Sequence, residues 1–148
     1  MLPAAMLDIP TPMPLPPNEP ILSYAPGTPE RAKLKEALAK MSKECPDVPH
    51  VLGGREVHEG ASFDVRSPHD HGRVIAKCHA SSAALTERAI GAALAAAPGW
   101  AATRLEDRAR VFLRAAELLA GPWRPILNAA TMLGQSKTAF QAEIDAAC

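Results

Sequence analysis

The chain has 148 residues, of which sixteen are basic and sixteen acidic, so its formal net charge is zero. A chain of this length can bury roughly 68–70% of its unfolded surface as one domain, and its charge balance gives no electrostatic reason to bind nucleic acid or an anionic membrane. No apolar run approaches the roughly 18 residues that a membrane span needs, and three widely spaced cysteines favour reduced thiols over a disulfide framework or a zinc site.

The first seventeen residues differ in composition from the rest. Nine of the fifteen prolines lie in the first thirty residues, a stretch that contains no Lys or Arg. Proline removes a backbone donor and disfavours helix in the residue before it. We therefore predict an extended, disordered Pro-rich arm over 1–17 and a domain over 18–148. The arm lacks the basic and apolar regions of a secretory signal and the Arg-rich composition of a mitochondrial transit peptide.

One helix and two strand pairs are predicted next. Thr28 and Pro29 form a helix start, and the residues after them place an apolar face at helical spacing. This face consists of Leu34, Ala37, Leu38 and Met41. After a loop over 45–49, Gly53-Gly54 forms a two-residue hairpin turn between strands at 50–52 and 55–57.

The second strand pair covers 63–67 and 73–79, joined by a turn over 68–72 in which Asp70 and Gly72 supply the bend. No strand is followed by a G-x-G-x-x-G turn, so the fingerprint of a dinucleotide site is absent from this sequence.

Four helices are predicted in the second half. Ser82 caps the first, which Pro98 is expected to end near Ala97. Its face is rich in alanine and indicates close packing on a larger partner: Leu85, Ala89, Ala92, Ala93 and Ala96. Thr103 with Glu106 predicts a capping box that opens the second helix.

Gly121-Pro122 closes the second helix. Its predicted inward residues are Ala109, Phe112, Leu113, Ala116 and Leu119. A short third helix is predicted over about 125–133, with Gly134 as its stop. The order of elements therefore predicts an α/β fragment with a helix, two hairpin-like strand pairs and four helices.

The last helix begins with a second capping box, formed by Thr138 and Gln141. Its apolar face is formed by Phe140, Ile144 and Ala147 or Cys148. No Gly, Asn, Pro or basic last turn closes it. Because that face has nothing downstream to pack on, we expect a chain cut short within a helix.

Several collinear segments resemble one enzyme family. They are Thr131–Ala147 (TMLGQSKTAFQAEIDAA), Asn18–Arg31 (NEPILSYAPGTPER), Ser67–Lys77 (SPHDHGRVIAK), Ala89–Ala96 (AIGAALAA) and Asp107–Pro122 (DRARVFLRAAELLAGP). Together they resemble the Δ1-pyrroline-5-carboxylate dehydrogenases, a branch of the aldehyde dehydrogenases, from about Asn18 to Cys148. The resemblance covers only the amino-terminal part of these longer proteins.

The resemblance implies an NAD-dependent oxidation of L-glutamate γ-semialdehyde to L-glutamate in proline breakdown. In the family a cysteine thiolate adds to the aldehyde, hydride passes to NAD⁺, and a glutamate-activated water releases the product. These residues and the cofactor-binding segment are expected outside this chain, which alone should be inactive. The family further implies a small-molecule substrate, homo-oligomers at full length, and a bacterial cytoplasmic location, with the mitochondrial matrix as the eukaryotic alternative. The other function considered is a non-enzymatic interaction module that docks through its apolar helices.

Four groups of residues have the residue types of a metal-binding or catalytic site. For each of them a structural role is favoured. His69 and His71 could share a metal, but turn chemistry explains the segment. Cys78 and His79 are adjacent on a strand and point to opposite faces, so a buried structural thiol is expected.

The segment 134–138 lacks the glycines of a phosphate loop, and Lys137 is expected to be solvated. Glu143 and Asp145 are two apart on a helix and face different ways. Cys148 is interpreted as a core position. No catalytic, cofactor-binding or metal-binding residue is therefore assigned in this chain.

Overall fold

The structure is a computed structural model that describes residues 18–147. Its elements are α1 (Pro29–Met41), β1 (Asp47–Val48), β2 (His50–Leu52), β3 (Arg55–Val57), β4 (Ser62–Ser67), β5 (Asp70–His79), α2 (Ala83–Ala102), α3 (Leu105–Ala120), α4 (Arg124–Gln135) and α5 (Ala139–Ala147). The predicted order of one helix, two strand pairs and four helices is confirmed. The predictions for the arm over 1–17 and for Cys148 lie outside the described residues.

The strands form two small sheets. One has the order β1-β5-β4, with β1 parallel and β4 antiparallel to β5, and the other is the β2-β3 hairpin. The prediction of a loop throughout 45–49 is wrong, because Asp47 and Val48 pair with Lys77 and Cys78 of β5. The Lys77 N–H also donates to the Pro46 carbonyl at 2.9 Å. A two-residue strand held by a distant partner has no local sequence signal.

The first hairpin turn is confirmed, since Gly53 and Gly54 adopt φ of 56° and 77°, a region that glycine enters without steric cost. The five-residue turn predicted over 68–72 is wrong. Ser67 pairs with Asp70, so only Pro68 and His69 form the turn. Asp70 to Gly72 belong to β5, and register shifts near Arg66 accommodate the added strand residues.

Three predicted helix boundaries are wrong, those at Pro98, Thr103 and Gly134. Pro98 lies inside α2, which continues to Ala102, because a proline near a helix end costs one backbone hydrogen bond while the alanine-rich sequence still favours helix. Thr103 does not open α3. It ends α2, and its hydroxyl donates to the Gly99 carbonyl at 3.0 Å, which leaves Arg104 at the start of α3 without a side-chain cap.

Gly134 likewise does not stop α4. It lies within the helix, which ends where Ser136 adopts a left-handed φ of 58°. The capping box of α5 is confirmed: the Gln141 N–H donates to the Thr138 hydroxyl at 3.3 Å, and the Thr138 N–H donates to the Gln141 side chain at 3.0 Å.

The core lies between α1, α4 and the extended segment before α1. Tyr24, Leu34 and Ala129 are buried in it. The predicted face of α1 is confirmed, with Leu34 buried and the other three residues packed around it. Among residues 18–147, no helix is both long and apolar enough to cross a membrane.

The predicted inward face of α3 is wrong, because no residue of that helix is buried. Phe112 is 67% exposed and Leu113 is 46% exposed. The pattern identifies an apolar face, but the described part of the chain supplies nothing to cover it. In α5, Phe140 is 60% exposed, while Ala142 and Glu143 occupy the buried side.

Candidate functional site

The most deeply buried ionisable group in the core is the Glu143 carboxylate, whose residue is 0% exposed. Glu143 lies on α5, and its partners come from α4 and from the segment before α1. Arg124 and Asn128 lie one turn apart on α4, while Tyr24 and Leu22 lie on the extended segment. Three separate parts of the chain therefore meet at one carboxylate.

Both oxygens of this carboxylate accept several hydrogen bonds. Oε1 accepts from the Leu22 N–H at 2.8 Å and from the Arg124 guanidinium. Oε2 accepts from the Tyr24 hydroxyl at 2.7 Å, from Asn128 Nδ2 at 2.9 Å and from Arg124 Nε at 3.3 Å. Asn128 Nδ2 also donates to the Tyr24 hydroxyl at 2.7 Å, so the donors form one connected network.

The network holds Glu143 in its charged form. Burial raises the pKa of its carboxyl, but hydrogen bonds from Arg124, Leu22 and the other donors outweigh burial and lower the pKa to about 2. Burial and the nearby carboxylate raise the pKa of Tyr24 to about 12. The Arg124 pKa is raised chiefly by its hydrogen bond to Glu143.

These pKa values argue against a proton-transfer role. A general base works best when its pKa is near the operating pH, and a carboxyl with a pKa of about 2 stays ionised throughout that range. The arrangement instead suits a structural anion that fixes α4, α5 and the amino-terminal segment together. Arg124 extends this link, since it also donates to the Pro20 carbonyl and, at 3.4 Å, to Glu19.

The backbone at Tyr24 supports this structural interpretation. Its φ of 51° is in the left-handed region, which costs a non-glycine residue of the order of 1 kcal/mol. The Arg31 guanidinium donates to the Tyr24 carbonyl at 3.1 Å, and the ring is buried beside Leu34 and Ala129. The surrounding contacts therefore hold this strained conformation in place.

An open groove of about 680 Å³ lies beside the network. Its lining includes Leu22, Tyr24, Lys33, Pro122 and Arg124. Because the Arg124 donors are engaged with Glu143, Glu19 and Pro20, the guanidinium is not available to anchor an anionic ligand in this groove.

A second cluster joins the two sheets. Asp47 Oδ2 lies 2.9 Å from His58 Nδ1, and Asp47 Oδ1 lies 2.8 Å from His79 Nε2. These hydrogen bonds lower the pKa of the Asp47 carboxyl, with the bond to His79 as the largest cause.

The structure places the candidate residues from the sequence in different surroundings. His69 Nδ1 lies 2.8 Å from the Ser136 hydroxyl, while His71 is exposed. Within residues 18–147, these histidines do not belong to a cluster of three metal-binding side chains. Cys78 is half-buried, so its thiol is less buried than the sequence predicted. His79, its neighbour, is engaged with Asp47.

The remaining two candidates lie at the start and middle of α5. Lys137, expected to be solvated, is partly exposed and forms an ion pair with Asp145. Glu143 and Asp145 do face different ways, as predicted, since one is fully buried and the other is on the surface.

The passage from β5 to α2 does not have the features of a dinucleotide-binding turn. The passage from β5 to α2 is Ala80-Ser81-Ser82, without glycine, and Ser82 accepts from the Leu85 N–H at 3.1 Å. The helix start is therefore capped by its own side chain rather than left open to a pyrophosphate.

Neither cluster was predicted from the sequence. The one local signal for the first is that Glu143 follows Ala139 and Ala142 at helical spacing, which places a carboxylate on a small, apolar face. No such signal exists for Asp47, His58 and His79. They come together only because β1 pairs with β5, a long-range contact that the local sequence does not indicate.

Comparison with known proteins identifies the relatives of this chain. The model of the Aldehyde dehydrogenase family matches residues 56–148. The Δ1-pyrroline-5-carboxylate dehydrogenase of Agaricus bisporus is 50% identical over 88% of this chain and 24% of its own length. The bovine mitochondrial enzyme of the same name is 48% identical over 88% of this chain and 23% of its own length.

Solved structures agree with this result. The Mycobacterium tuberculosis Δ-pyrroline-5-carboxylate dehydrogenase bound with NAD aligns with a TM-score of 0.91 and 48% identity over 96% of this chain and 27% of its own. A Thermus 1-pyrroline-5-carboxylate dehydrogenase with bound NAD aligns with a TM-score of 0.83 and 29% identity, over 91% of this chain and 26% of its own. The chain spans about a quarter of the length of these relatives. It belongs to the aldehyde dehydrogenase family.

Proposed function

We propose that this chain is the amino-terminal part of an NAD-dependent dehydrogenase that oxidises L-glutamate γ-semialdehyde to L-glutamate. The observation that carries the proposal is the 48% identity, over 96% of this chain, to a Δ-pyrroline-5-carboxylate dehydrogenase solved with NAD. The catalytic residues and the cofactor site are assigned to the rest of the polypeptide, and residues 18–148 to the beginning of its catalytic fold.

In this proposal the chain serves as scaffold. The Glu143 network fixes α5 against α4 and the extended segment, so that α5 has a defined direction as it leads toward later parts of the enzyme. The apolar surfaces of α2 and α3, including Leu94 and Phe112 at 67% exposure each, are then covered by the remaining polypeptide. Exposed apolar area on this scale is typical of an interface rather than of a finished monomer surface.

Enzyme assays test the proposal directly. The native polypeptide that carries this sequence should reduce NAD⁺ when supplied with Δ1-pyrroline-5-carboxylate, and less efficiently with a short aldehyde that lacks the carboxylate. The isolated chain 1–148 should produce no NADH. Activity of 1–148 alone, or an inactive native polypeptide, would contradict it.

The exposed apolar helices also favour a second candidate, a non-enzymatic module that docks on full-length subunits. This function requires the chain to be stable by itself. Size-exclusion chromatography distinguishes the two: a compact, monodisperse protein of 148 residues supports the module, and an aggregating or molten chain supports the enzyme fragment.

The assembly and the compartment are part of the same proposal. We infer a homo-oligomer for the native polypeptide, which light scattering tests by its mass in solution. We infer the cytoplasm for a bacterial source and the mitochondrial matrix for a eukaryotic one, by analogy with relatives such as the bovine enzyme named as mitochondrial. Cell fractionation tests the compartment.

A further inference from the structure

Three side chains with metal-binding atoms meet where the two sheets adjoin. Asp47 comes from β1, His58 follows β3, and His79 ends β5. One donor atom from each lies within 4.8 Å of the other two. The Asp47 carboxylate lies between the imidazoles, with one oxygen facing each.

The backbone positions these groups. In the parallel pairing of β1 with β5, Asp47 lies opposite Lys77. His79 is two residues further along β5, so it lies on the same face of the sheet as Asp47. His58 follows the β2-β3 hairpin, and its ring meets the His79 ring edge to face with the centroids 5.5 Å apart. Strand pairing therefore fixes the backbone of Asp47 and His79, while the exposed side chains of Asp47 and His58 remain free to adjust to an ion.

The donor set is chemically suited to zinc. Two imidazole nitrogens and one carboxylate oxygen leave a fourth tetrahedral position for water. His58 and His79 face different oxygens of the Asp47 carboxylate, at 2.9 and 2.8 Å. Zinc, with metal–ligand bonds of about 2.0–2.2 Å, would replace both hydrogen bonds, so the side chains must reorient around the ion. The side chains of Asp47 and His58 are 51% and 47% exposed, and can move without disturbing the core.

The surroundings also favour a cation. The second ring nitrogen of His58 lies 4.0 Å from the Glu56 carboxylate, which is too far for a hydrogen bond but adds a second negative charge near the cluster. Among the described ion pairs, Asp47 has histidine partners but no Lys or Arg partner. The nearby ring of His50, 6.4 Å from His79, has a buried Nε2 without a hydrogen-bond partner.

We propose that Asp47, His58 and His79 form a zinc-binding site that fastens the β2-β3 hairpin to the β1-β5-β4 sheet. The site is independent of the proposed dehydrogenase chemistry and shares no residue with the Glu143 network. It also differs from the His69–His71 pair, which the sequence suggests more readily.

Zinc titration of the native polypeptide tests this assignment. Tag-free protein is stripped of metal with a chelator, and Zn²⁺ binding is followed by calorimetry together with the thermal unfolding temperature. The wild-type protein should bind Zn²⁺ and unfold at a higher temperature when it is added. D47N keeps the side-chain size but removes the anionic ligand, so its affinity should fall at least roughly tenfold. H58Q should behave similarly.

H71Q is the matched control, since His71 is an exposed strand histidine outside the cluster. It should bind zinc like the wild type. His79 is left intact because its side chain is only 10% exposed and its replacement would also test folding. The proposal is overturned if the wild type takes up no zinc, if D47N and H58Q bind as tightly as the wild type, or if H71Q loses as much affinity as H58Q.

Discussion

Replacement of Glu143 by Gln should destabilise the folded protein severely. The pKa of this carboxyl falls from an ordinary 4.5 to about 2 in the folded state. Since each tenfold change in an equilibrium corresponds to about 1.4 kcal/mol, the folded protein favours the ionised carboxylate by about 3 kcal/mol. Removal of one partner from a buried ion pair typically costs about 3–5 kcal/mol, a range that includes the value obtained from the pKa. Urea denaturation of the native polypeptide, followed by circular dichroism, measures the loss.

The matched control is Asp145→Asn, two residues later on α5. Asp145 is 45% exposed and pairs with a partly exposed Lys137, so its loss should cost at most about 1 kcal/mol. The reasoning fails if E143Q and D145N lower the free energy of unfolding by the same small amount.

The same carboxyl gives a pH dependence with a definite sign. Its pKa is lower in the folded state than in the unfolded state, so its contribution to stability is complete above about pH 4.5 and is lost as the pH falls toward about 2. The difference in stability between wild type and E143Q should therefore be largest at neutral pH and shrink on acidification. A difference that stays constant down to about pH 2 would contradict the assigned pKa.

Three further changes have expected outcomes that urea denaturation can check. Tyr24→Phe removes the hydroxyl that donates to Glu143 and should cost about 1–3 kcal/mol; an unchanged midpoint would rule out the bond. Gly60→Ala should cost at least about 1 kcal/mol, because φ is +96° and the new Cβ would lie 2.0 Å from the Ala80 carbonyl oxygen; a neutral result would argue against this loop geometry. Pro98→Ala restores a donor inside α2 and should stabilise the helix by up to about 3 kcal/mol, with increased helical circular dichroism; reduced helicity would contradict a continuous α2.

Local sequence signals predicted the parts of the fold that depend on neighbouring residues. The Gly53-Gly54 turn and the Thr138–Gln141 capping box are both present as expected. Each is decided within a few residues, by backbone freedom in one case and by reciprocal hydrogen bonds in the other. Pro98 shows the limit of this approach, because a helix-breaking residue was overridden by the favourable sequence around it.

The clusters depend on long-range contacts and were not predictable in the same way. Helical spacing showed that Glu143 and Asp145 face different ways, but not which of the two is buried, because the partners Tyr24 and Leu22 lie at the other end of the chain. Asp47 was placed in a loop because its strand exists only through pairing with β5. Apolar periodicity identified the face of α3 correctly as apolar, yet it could not show that the described chain leaves this face uncovered.

The bond between Leu22 and Glu143 spans 121 residues, which has a consequence for biosynthesis. A ribosome adding roughly 5–20 residues per second needs roughly 6–24 s to extend the chain from one partner to the other. During that time the segment around Tyr24 has emerged without the helix that accepts its hydroxyl hydrogen bond. We therefore expect the strained conformation at Tyr24 to form late, with the segment around it open to chaperones until α5 has left the exit tunnel.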